Sequence, residues 1–234
     1  MINKDTKIYG SFARKAGSRG CKIFNNAFRY HDLNSIYKSF SIESIEEGVS
    51  SARCLGFHGF AVTMPFKSDV LNFVDIATDE VLKIGAANTV IRESTGAYKA
   101  YNTDYIAAFE YIKKEKVHLS HINMHDTILN FARDNVVKIF VLGDGGYASA
   151  VKYALGSLHI SFENIKRKNW KEIGEIENSI IYNCTPVKNI SGYKNCAFID
   201  CDTSTLTGRK LGMIQASHQY RLYTGLNFPF NYNS

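Results

Sequence analysis

The sequence contains little proline and no long apolar run. Only three of its 234 residues are proline, and 45% are apolar, a composition typical of folded proteins rather than of disordered ones. No stretch approaches the roughly 18 uninterrupted apolar residues of a membrane span. The first residues, Met1 to Asp5, lack the apolar core of a signal peptide. We therefore expect a globular protein of the cytoplasm with no membrane partner.

The cysteines lack the number and spacing of a disulfide framework or a zinc site. The number of cysteines is odd, and no two of them have the C-x-x-C spacing of zinc sites. The five residues are Cys21, Cys54, Cys184, Cys196 and Cys201. This pattern favours buried, reduced thiols over a disulfide framework, and it indicates no metal site.

The charge is moderately positive, with 28 lysines and arginines against 22 acidic residues. Nucleic-acid-binding surfaces need clustered basic residues, whereas here only Lys166, Arg167 and Lys168 form a run. A small anionic substrate or a phosphate-bearing cofactor fits this modest excess. We expect no nucleic-acid partner.

The first half of the chain alternates between strand and helix patterns. Apolar runs typical of strands occur at residues 7–12, 34–40, 59–63 and 87–92. Because helix-length segments separate them, we expect parallel pairing through crossovers and an α/β fold. The clearest helix lies within residues 41–56, where Ser44 and Glu47 have capping-box spacing and Gly56 suits the end of the helix.

A second α/β unit is predicted after Asp104. A helix at 105–114 and a polar stretch to residue 126 precede an apolar strand at 136–142. Further strands are predicted at 159–162, 179–183 and 197–200, and a last helix at 211–223.

A glycine loop follows the strand at 136–142. Gly143, Gly145 and Gly146 lie between this strand and a helix at 147–155, which is the context of a dinucleotide-binding fingerprint, with Ala148 at its close-packing position. Such a loop lets the backbone approach a pyrophosphate at the helix N-terminus. Asp144 would repel that ligand unless its side chain points away. The alternative is an ordinary strand-to-helix turn.

Two sets of residues after the loop point to different cofactors. Glu163 lies twenty residues after Gly143, and we expect it to end the next strand and to accept hydrogen bonds from the adenosine ribose, which favours NAD. The basic run from Lys166 to Lys168 can instead bind the 2′-phosphate of NADP. A solvated loop is the third possibility, and all three stay open.

Lys67 and Asp104 are candidates for a proton-handling pair. Lys67 follows a strand that ends in Met64-Pro65, and Asp104 stands where another strand turns into a helix. A solvated lysine and a helix-capping aspartate are the alternatives.

Several short runs occur together in one order: VTMPFK at 62–67, GAANTV at 85–90, NTD at 102–104, VLGDGG at 141–146, NCTP at 183–186, and QASHQ at 215–219 with YTG at 223–225. Together these runs resemble the shikimate dehydrogenase family. The forms AVTMPFK and NTDYIA look most like its divergent shikimate-dehydrogenase-like branch.

The resemblance implies two domains with a site in the cleft between them. Residues 1–103, completed by 210–234, would bind the substrate, and residues 104–209 would form a shortened Rossmann-like domain for NADP or NAD. The implied reaction is reversible hydride transfer between shikimate, or a quinate-like acid, and 3-dehydroshikimate, in aromatic amino acid biosynthesis. The implied partner is a small anionic cyclohexene carboxylate. The oligomeric state, a homodimer included, stays open.

The resemblance also implies residue roles. Lys67 would transfer the proton that alcohol oxidation releases, and Asp104 would orient the hydroxyl and the lysine. Substrate contacts fall on Ser18, Thr63, Asn88 and Gln215. Cofactor contacts fall on Gly143, Gly145, Gly146, Tyr147, Ala148, Glu163, Asn164, Lys166 and Thr185.

The chain departs from the family pattern in two places. Ser18 matches one serine of a pair that holds the substrate carboxylate, but the other falls on Gly20, so Arg14, Lys15 or Arg19 is a candidate replacement. Only 42 residues separate Gly143 from Thr185, which leaves little room for a full Rossmann-like domain. The alternative function is a non-catalytic shikimate-binding protein with a degenerate cofactor domain.

Overall fold

The chain folds into two compact units. The computed structural model describes residues 2–121 and 138–230. Met1–Thr103 and Ile214–Ser234 form the first unit, and Asp104–Met213 form the second.

The first unit is built on a six-stranded mixed sheet. Its strands are β1 (Lys7–Ala13), β2 (Ser35–Ser41), β3 (Gly59–Val62), β4 (Ile76–Ala77), β5 (Thr89–Arg92) and β6 (Tyr98–Tyr101). Their order is β2-β1-β3-β5-β6-β4. β1 runs parallel to β2 and β3, β4 runs parallel to β6, and β5 runs antiparallel to β3 and β6.

Three helices connect these strands: α1 (Arg19–Tyr30), α2 (Ile45–Cys54) and α3 (Asp79–Ile84). The predicted caps of α2 are present. Ser44 Oγ accepts a hydrogen bond from Glu47 N at 3.3 Å, and Gly56 adopts a φ of +68° just after the helix. At this φ a residue with a Cβ is strained, which explains the glycine.

Both faces of the first sheet are buried. Tyr9 and Phe12 lie three residues apart in β1 and therefore point to opposite faces. Phe12 packs in a cluster with Val49 of α2, whereas Tyr9 packs with Phe28 of α1 and with residues near the C-terminus, including Tyr220. Burial on both faces explains why β1 contains large apolar side chains that point to either side of the sheet.

The second unit contains a parallel sheet of four strands in its described part. These strands are β7 (Ile139–Leu142), β8 (Glu163–Ile165), β9 (Ile180–Asn183) and β10 (Ala197–Asp200), in the order β10-β9-β7-β8. Its described helices are α4 (Thr103–His121), α5 (Gly146–Ser157) and α6 (Leu206–Thr224), which continues into the first unit, together with a 3₁₀ segment at Arg167–Glu175. The chain leaves β7 toward β8 on one side and β9 lies on the other, so the loops after β7 and β9 diverge at the carboxyl edge of the sheet. In parallel sheets, ligands bind at such a switch point.

The predicted α/β class is confirmed, whereas the pairing in the first sheet, three short elements and the position of one strand differ from the prediction. The first sheet is mixed rather than parallel, because β5 runs antiparallel to both of its neighbours, β3 and β6, and a tight turn with Gly96 at φ +88° joins it to β6. The short elements α3, β4 and β6 had no periodic pattern long enough to predict them. Residues 136–137 of the strand predicted at 136–142, and part of the polar stretch before it, lie outside the described residues.

The strand predicted at 159–162 is wrong, and β8 begins at Glu163. α5 is longer than predicted, and its terminal turns use the residues that follow. His159 N donates to Gly156 O, Ile160 N donates to Leu155 O, and His159 has a φ of +55°. Residues bound to the end of a helix in this way cannot join the sheet ladder.

An ion pair connects α2 to the segment before β4. Arg53 Nη2 lies 2.7 Å from Asp75 Oδ2, and the same oxygen accepts a hydrogen bond from Tyr98 N at 2.6 Å. The Arg53 guanidinium also lies 4.6 Å from the centre of the Tyr98 ring. The hydrogen bond from Tyr98 N, followed by that from Arg53, holds the pKa of Asp75 below its ordinary value.

We expect Asp75→Asn to destabilise the protein at pH 7 and to make it less sensitive to acid. A carboxyl whose pKa is lowered by folding stabilises the protein above its unfolded pKa of about 3.9, and this contribution is lost as the pH falls through the lower folded value. The difference between wild type and variant in urea midpoint should therefore shrink between pH 5 and pH 3. Asp69→Asn, at an exposed position, is the control. A difference that stays constant with pH would contradict this assignment.

Candidate active site

The first unit contains a buried polar network centred on Asn88, whose exposed fraction is 2%. Asn88 Oδ1 accepts hydrogen bonds from Thr103 N at 2.8 Å and from Thr89 Oγ1 at 2.9 Å, and Asn88 Nδ2 donates to Thr103 Oγ1 at 3.0 Å. Because a backbone N–H can only donate, the orientation of the amide is determined. Within the described residues these contacts use one of the two N–H donors of Asn88, so one remains for a ligand.

Two glutamines of α6 extend this network. Gln215 and Gln219 are four residues apart and share a helix face. Gln215 Nε2 lies 3.4 Å from Thr103 Oγ1, and Gln219 Nε2 donates to Thr89 Oγ1 at 2.8 Å and to Asn88 O at 3.2 Å. Gln215 was among the predicted site residues, whereas Gln219 was not. Its spacing from Gln215 within the same motif was the available signal.

The backbone of Lys67 is hydrogen-bonded to the segment that contains Asn88. Lys67 O accepts a hydrogen bond from Ala87 N at 2.8 Å, directly before Asn88. The turn leading to Lys67 is held by Thr63 N, which donates to Phe12 O at 3.0 Å, and by the buried side chain of Phe66. The predicted residues Thr63, Lys67, Asn88 and Gln215 therefore all belong to the first unit.

The residues predicted to bind the substrate carboxylate, between Arg14 and Gly20, also lie in the first unit. Ser18 is the exposed N-cap residue of α1. At Gly20, an added Cβ would lie 3.0 Å from Tyr37 Cε1, so a side chain there would be in tight contact with the buried Tyr37 ring. Arg14 is paired with Glu43, and its guanidinium lies 5.5 Å from the centre of the Phe66 ring.

Asp104 lies in the first turn of α4, and its exposed fraction is 5%. Burial is the largest cause of the raised pKa values of Tyr147 and Cys184, and the charge of Asp104 contributes to both. The hydrogen bond from Thr103 N to Asn88 determines the backbone position directly before it. Lys67 belongs to the first unit and Asp104 to the second, and their pairing stays a prediction.

The glycine loop lies at the carboxyl edge of the second sheet. Gly143 adopts a φ of +111°, and an added Cβ there would lie 2.9 Å from Thr185 Cγ2. Asn164 Nδ2 donates to Val141 O and to Gly143 O, each at 2.8 Å. The loop is thus fastened to the ends of β7 and β8.

The start of α5 provides a place for an anion. Gly145 is its N-cap residue, and no side chain caps this terminus in the described structure. Gly146 and Tyr147 follow in the first turn, and Ala148 is completely buried, as expected for a close-packing position. Backbone N–H groups at such a terminus bind phosphate groups. The loop, α5 and Thr185 therefore fit the pyrophosphate of a dinucleotide.

The carboxylates of Asp144 and Glu163 are both bound by lysines, and Glu163 does not lie where the sequence predicted it. Asp144 forms ion pairs with Lys152 at 3.0 Å and with Lys166 at 2.9 Å, and its pKa is lowered mainly by Lys166 and then by Lys152. Glu163 begins β8 instead of ending it, and its carboxylate lies 3.2 Å from Lys138 Nζ at the opposite edge of the sheet. The prediction that Glu163 ends this strand beside the glycine loop is wrong, and Lys166 occupies that end.

None of the five cysteines forms a disulfide. Within residues 2–121 and 138–230, no group of histidine, cysteine, aspartate and glutamate side chains is arranged to hold a metal ion. No helix in the described part of the chain is long and apolar enough to cross a membrane.

Comparison with known proteins assigns the chain to a family. Residues 15–90 match the model of the shikimate dehydrogenase substrate binding domain. A shikimate dehydrogenase (NADP(+)) of Clostridium beijerinckii is 34% identical over 200 residues, which are 77% of this chain and 68% of the relative. The chain belongs to the shikimate dehydrogenase family. The resemblance inferred from the motifs is thereby confirmed.

The divergent branch of the family is also represented. A shikimate dehydrogenase-like protein of Haemophilus influenzae is 34% identical over 166 residues, which are 71% of this chain and 54% of that protein. The solved structure of a shikimate 5-dehydrogenase-like protein aligns with a TM-score of 0.75 at 25% identity, covering 99% of this chain and 96% of the other. Shikimate dehydrogenase from Aquifex aeolicus has the same fold, with a TM-score of 0.73 at 22% identity over 99% of this chain and 97% of the other. Several curated relatives are matched over only about half of their length.

We expect Gly143→Ala to destabilise the protein by about 1–3 kcal/mol, the usual cost of a strained backbone conformation. The added methyl group would contact Thr185 in a backbone conformation that alanine disfavours. Gly156→Ala in α5 is the matched control, because nothing lies within 4 Å of the added Cβ, and it should be neutral or stabilising by up to about 1 kcal/mol. Urea unfolding measures both. Equal stability of the two variants would show that Gly143 is not constrained as described.

Proposed function

We propose that this protein is an NAD(P)-dependent shikimate dehydrogenase-like oxidoreductase. The reaction is reversible hydride transfer between shikimate, or a quinate-like acid, and the corresponding 3-dehydro acid. The network around Asn88 is the observation that carries this proposal, because it joins three family motifs through hydrogen bonds. It connects the segment of Asn88 to Thr103, directly before Asp104, and to Gln215, while Ala87 binds the backbone of Lys67.

In this proposal the first unit binds the substrate. It comprises Met1–Thr103 and Ile214–Ser234. The remaining N–H of Asn88 donates to a substrate hydroxyl, and Gln215, Thr63 and Ser18 supply further polar contacts. All four side chains are neutral hydrogen-bonding groups, which suit the hydroxyls of a small cyclohexene carboxylate.

The second unit, Asp104–Met213, binds the cofactor. The loop from Gly143 to Gly146, with Asn164 and Thr185 beside it, holds the pyrophosphate. The bound cofactor supplies hydride acceptance and donation at its nicotinamide ring. Lys166, Arg167 and Lys168 follow the carboxyl end of β8, whereas Glu163 lies at the other end. This placement favours NADP, because basic side chains bind its 2′-phosphate.

Lys67 and Asp104 handle the proton. Oxidation of a secondary alcohol releases a proton from the hydroxyl as the hydride leaves the carbon, and a positioned base accelerates this step. Lys67 in its neutral form accepts that proton and returns it in the reverse direction. Asp104 accepts a hydrogen bond and orients the hydroxyl and the lysine.

A second candidate is a non-catalytic binding protein for a shikimate-like acid. The ion pairs of Asp144 with Lys152 and Lys166 favour it, because they place a carboxylate and engaged lysines where a cofactor phosphate would bind. Calorimetry separates the two candidates. Shikimate binding with no NAD(P) binding supports the binding protein, and micromolar cofactor affinity rules it out.

We expect Lys67→Ala to lower the rate of shikimate oxidation at least about a hundredfold, the low end for a general acid–base group. Initial rates are measured for shikimate and quinate with NADP and NAD. Lys83→Ala, at an exposed lysine of α3 in the same unit, is the control and should keep the wild-type rate. Absence of turnover in every substrate and cofactor combination would rule out the dehydrogenase. A Lys67→Ala variant at full rate would remove the role of the lysine.

A further inference from the structure

Two lysines converge on Asp144 in the glycine loop. Lys152 Nζ lies 3.0 Å from Asp144 Oδ1, and Lys166 Nζ lies 2.9 Å from Asp144 Oδ2. Lys152 comes from α5 and also donates to Asn164 Oδ1 at 3.4 Å, whereas Lys166 follows β8. The carboxylate is therefore bound by cations from two elements that flank the loop.

The carboxylate of Asp144 therefore lies between two lysines that could otherwise bind a phosphate. Two lysines beside a glycine loop form a positively charged site, and lysine binds phosphate as a point charge. The side chain of Asp144 carries the opposite charge and occupies these lysines. With it, the three side chains have one net positive charge, and without it they have two.

We propose that Asp144 competes with the phosphate groups of the dinucleotide for Lys152 and Lys166, and that it thereby weakens cofactor binding. The competition is strongest for the dinucleotide that carries the additional 2′-phosphate. This inference rests on the proposed function only in assigning the glycine loop to a dinucleotide.

The side chains of Lys152 and Lys166 differ in their exposure and in their other contacts. The side chain of Lys152 is 22% exposed, and its second partner, Asn164, also fastens the loop. The side chain of Lys166 is 46% exposed, so it can turn from Asp144 toward an arriving phosphate at little packing cost. Binding then breaks one ion pair, and the bound phosphate still experiences the charge of Asp144.

A competitor role fits the contacts better than a role as a ribose acceptor. An acidic residue that recognises the ribose offers its oxygens to the hydroxyls, whereas each oxygen of Asp144 already accepts from a lysine. The lowered pKa of Asp144 keeps it charged at neutral and mildly acidic pH. Protonation therefore does not relieve the competition near pH 7.

The test is calorimetry of the full chain and of Asp144→Asn with NADP, NAD and 2′,5′-ADP. Asparagine keeps the size of the side chain and removes its charge. We expect NADP and 2′,5′-ADP to bind about three- to thirtyfold more tightly to the variant, the range for removing one like charge at a partly solvated site. NAD should gain less, and the gain should shrink at high salt because ions screen exposed charges.

Glu177→Gln is the matched control. Glu177 forms a similar carboxylate–lysine pair with Lys194 at 2.8 Å, but it lies before β9, at the amino edge of the same sheet. Glu177→Gln removes one negative charge, as Asp144→Asn does, and it should leave the affinities for NADP, NAD and 2′,5′-ADP unchanged. An equal gain in Glu177→Gln would show a general charge effect and overturn the proposal.

Unchanged or weaker NADP binding by Asp144→Asn would overturn the proposal, and a selective loss of NAD binding would identify Asp144 as a ribose acceptor instead. Failure of all three ligands to bind either protein would also overturn it. Because binding is measured without substrate, the proposed function is judged separately. A protein that shows the expected gain but oxidises no acid supports this inference and contradicts the dehydrogenase.

Discussion

The hydrogen bond from Thr103 N to Asn88 Oδ1 is the contact on which the candidate site depends. It is buried and 2.8 Å long, and it connects residues fifteen positions apart. Leaving either group buried without a partner would cost about 1–3 kcal/mol, so this bond favours one arrangement of the two segments. Gln219 reaches the same network from 130 residues away. The network therefore holds three distant parts of the sequence in one arrangement.

The glycine loop of the second unit depends on a different physical constraint, the close approach of backbone atoms. Gly143 accepts the proximity of Thr185 because it has no side chain, and Asn164 binds two carbonyl oxygens of the strand and loop. Electrostatics then determine the character of this edge. Asp144 and its two lysines give the loop a small positive charge instead of the larger one that the lysines alone would produce.

Some features were predictable because they depend on neighbouring residues. The Ser44 cap of α2, the glycine at its end and the glycine loop between β7 and α5 follow from short sequence patterns, and the structure contains all three. Glu163 shows where this reasoning fails. The terminal turns of α5 continue to Ile160, which delays β8 and places Glu163 at the opposite end from the one expected. The end of a helix depends on backbone hydrogen bonds that composition specifies poorly.

The sequence by itself determined the α/β class, the family motifs and the identity of most candidate residues, because periodicity, caps and glycines act over a few positions. Only the tertiary structure decided how those residues are used. In the structure Asn88 accepts a hydrogen bond from Thr103, and Gln219 donates to the same network. The Tyr37 ring lies close to Gly20. Asp144 forms ion pairs with Lys152 and Lys166. The physical reason is that hydrogen bonds, ion pairs and close packing join residues that are distant in the chain.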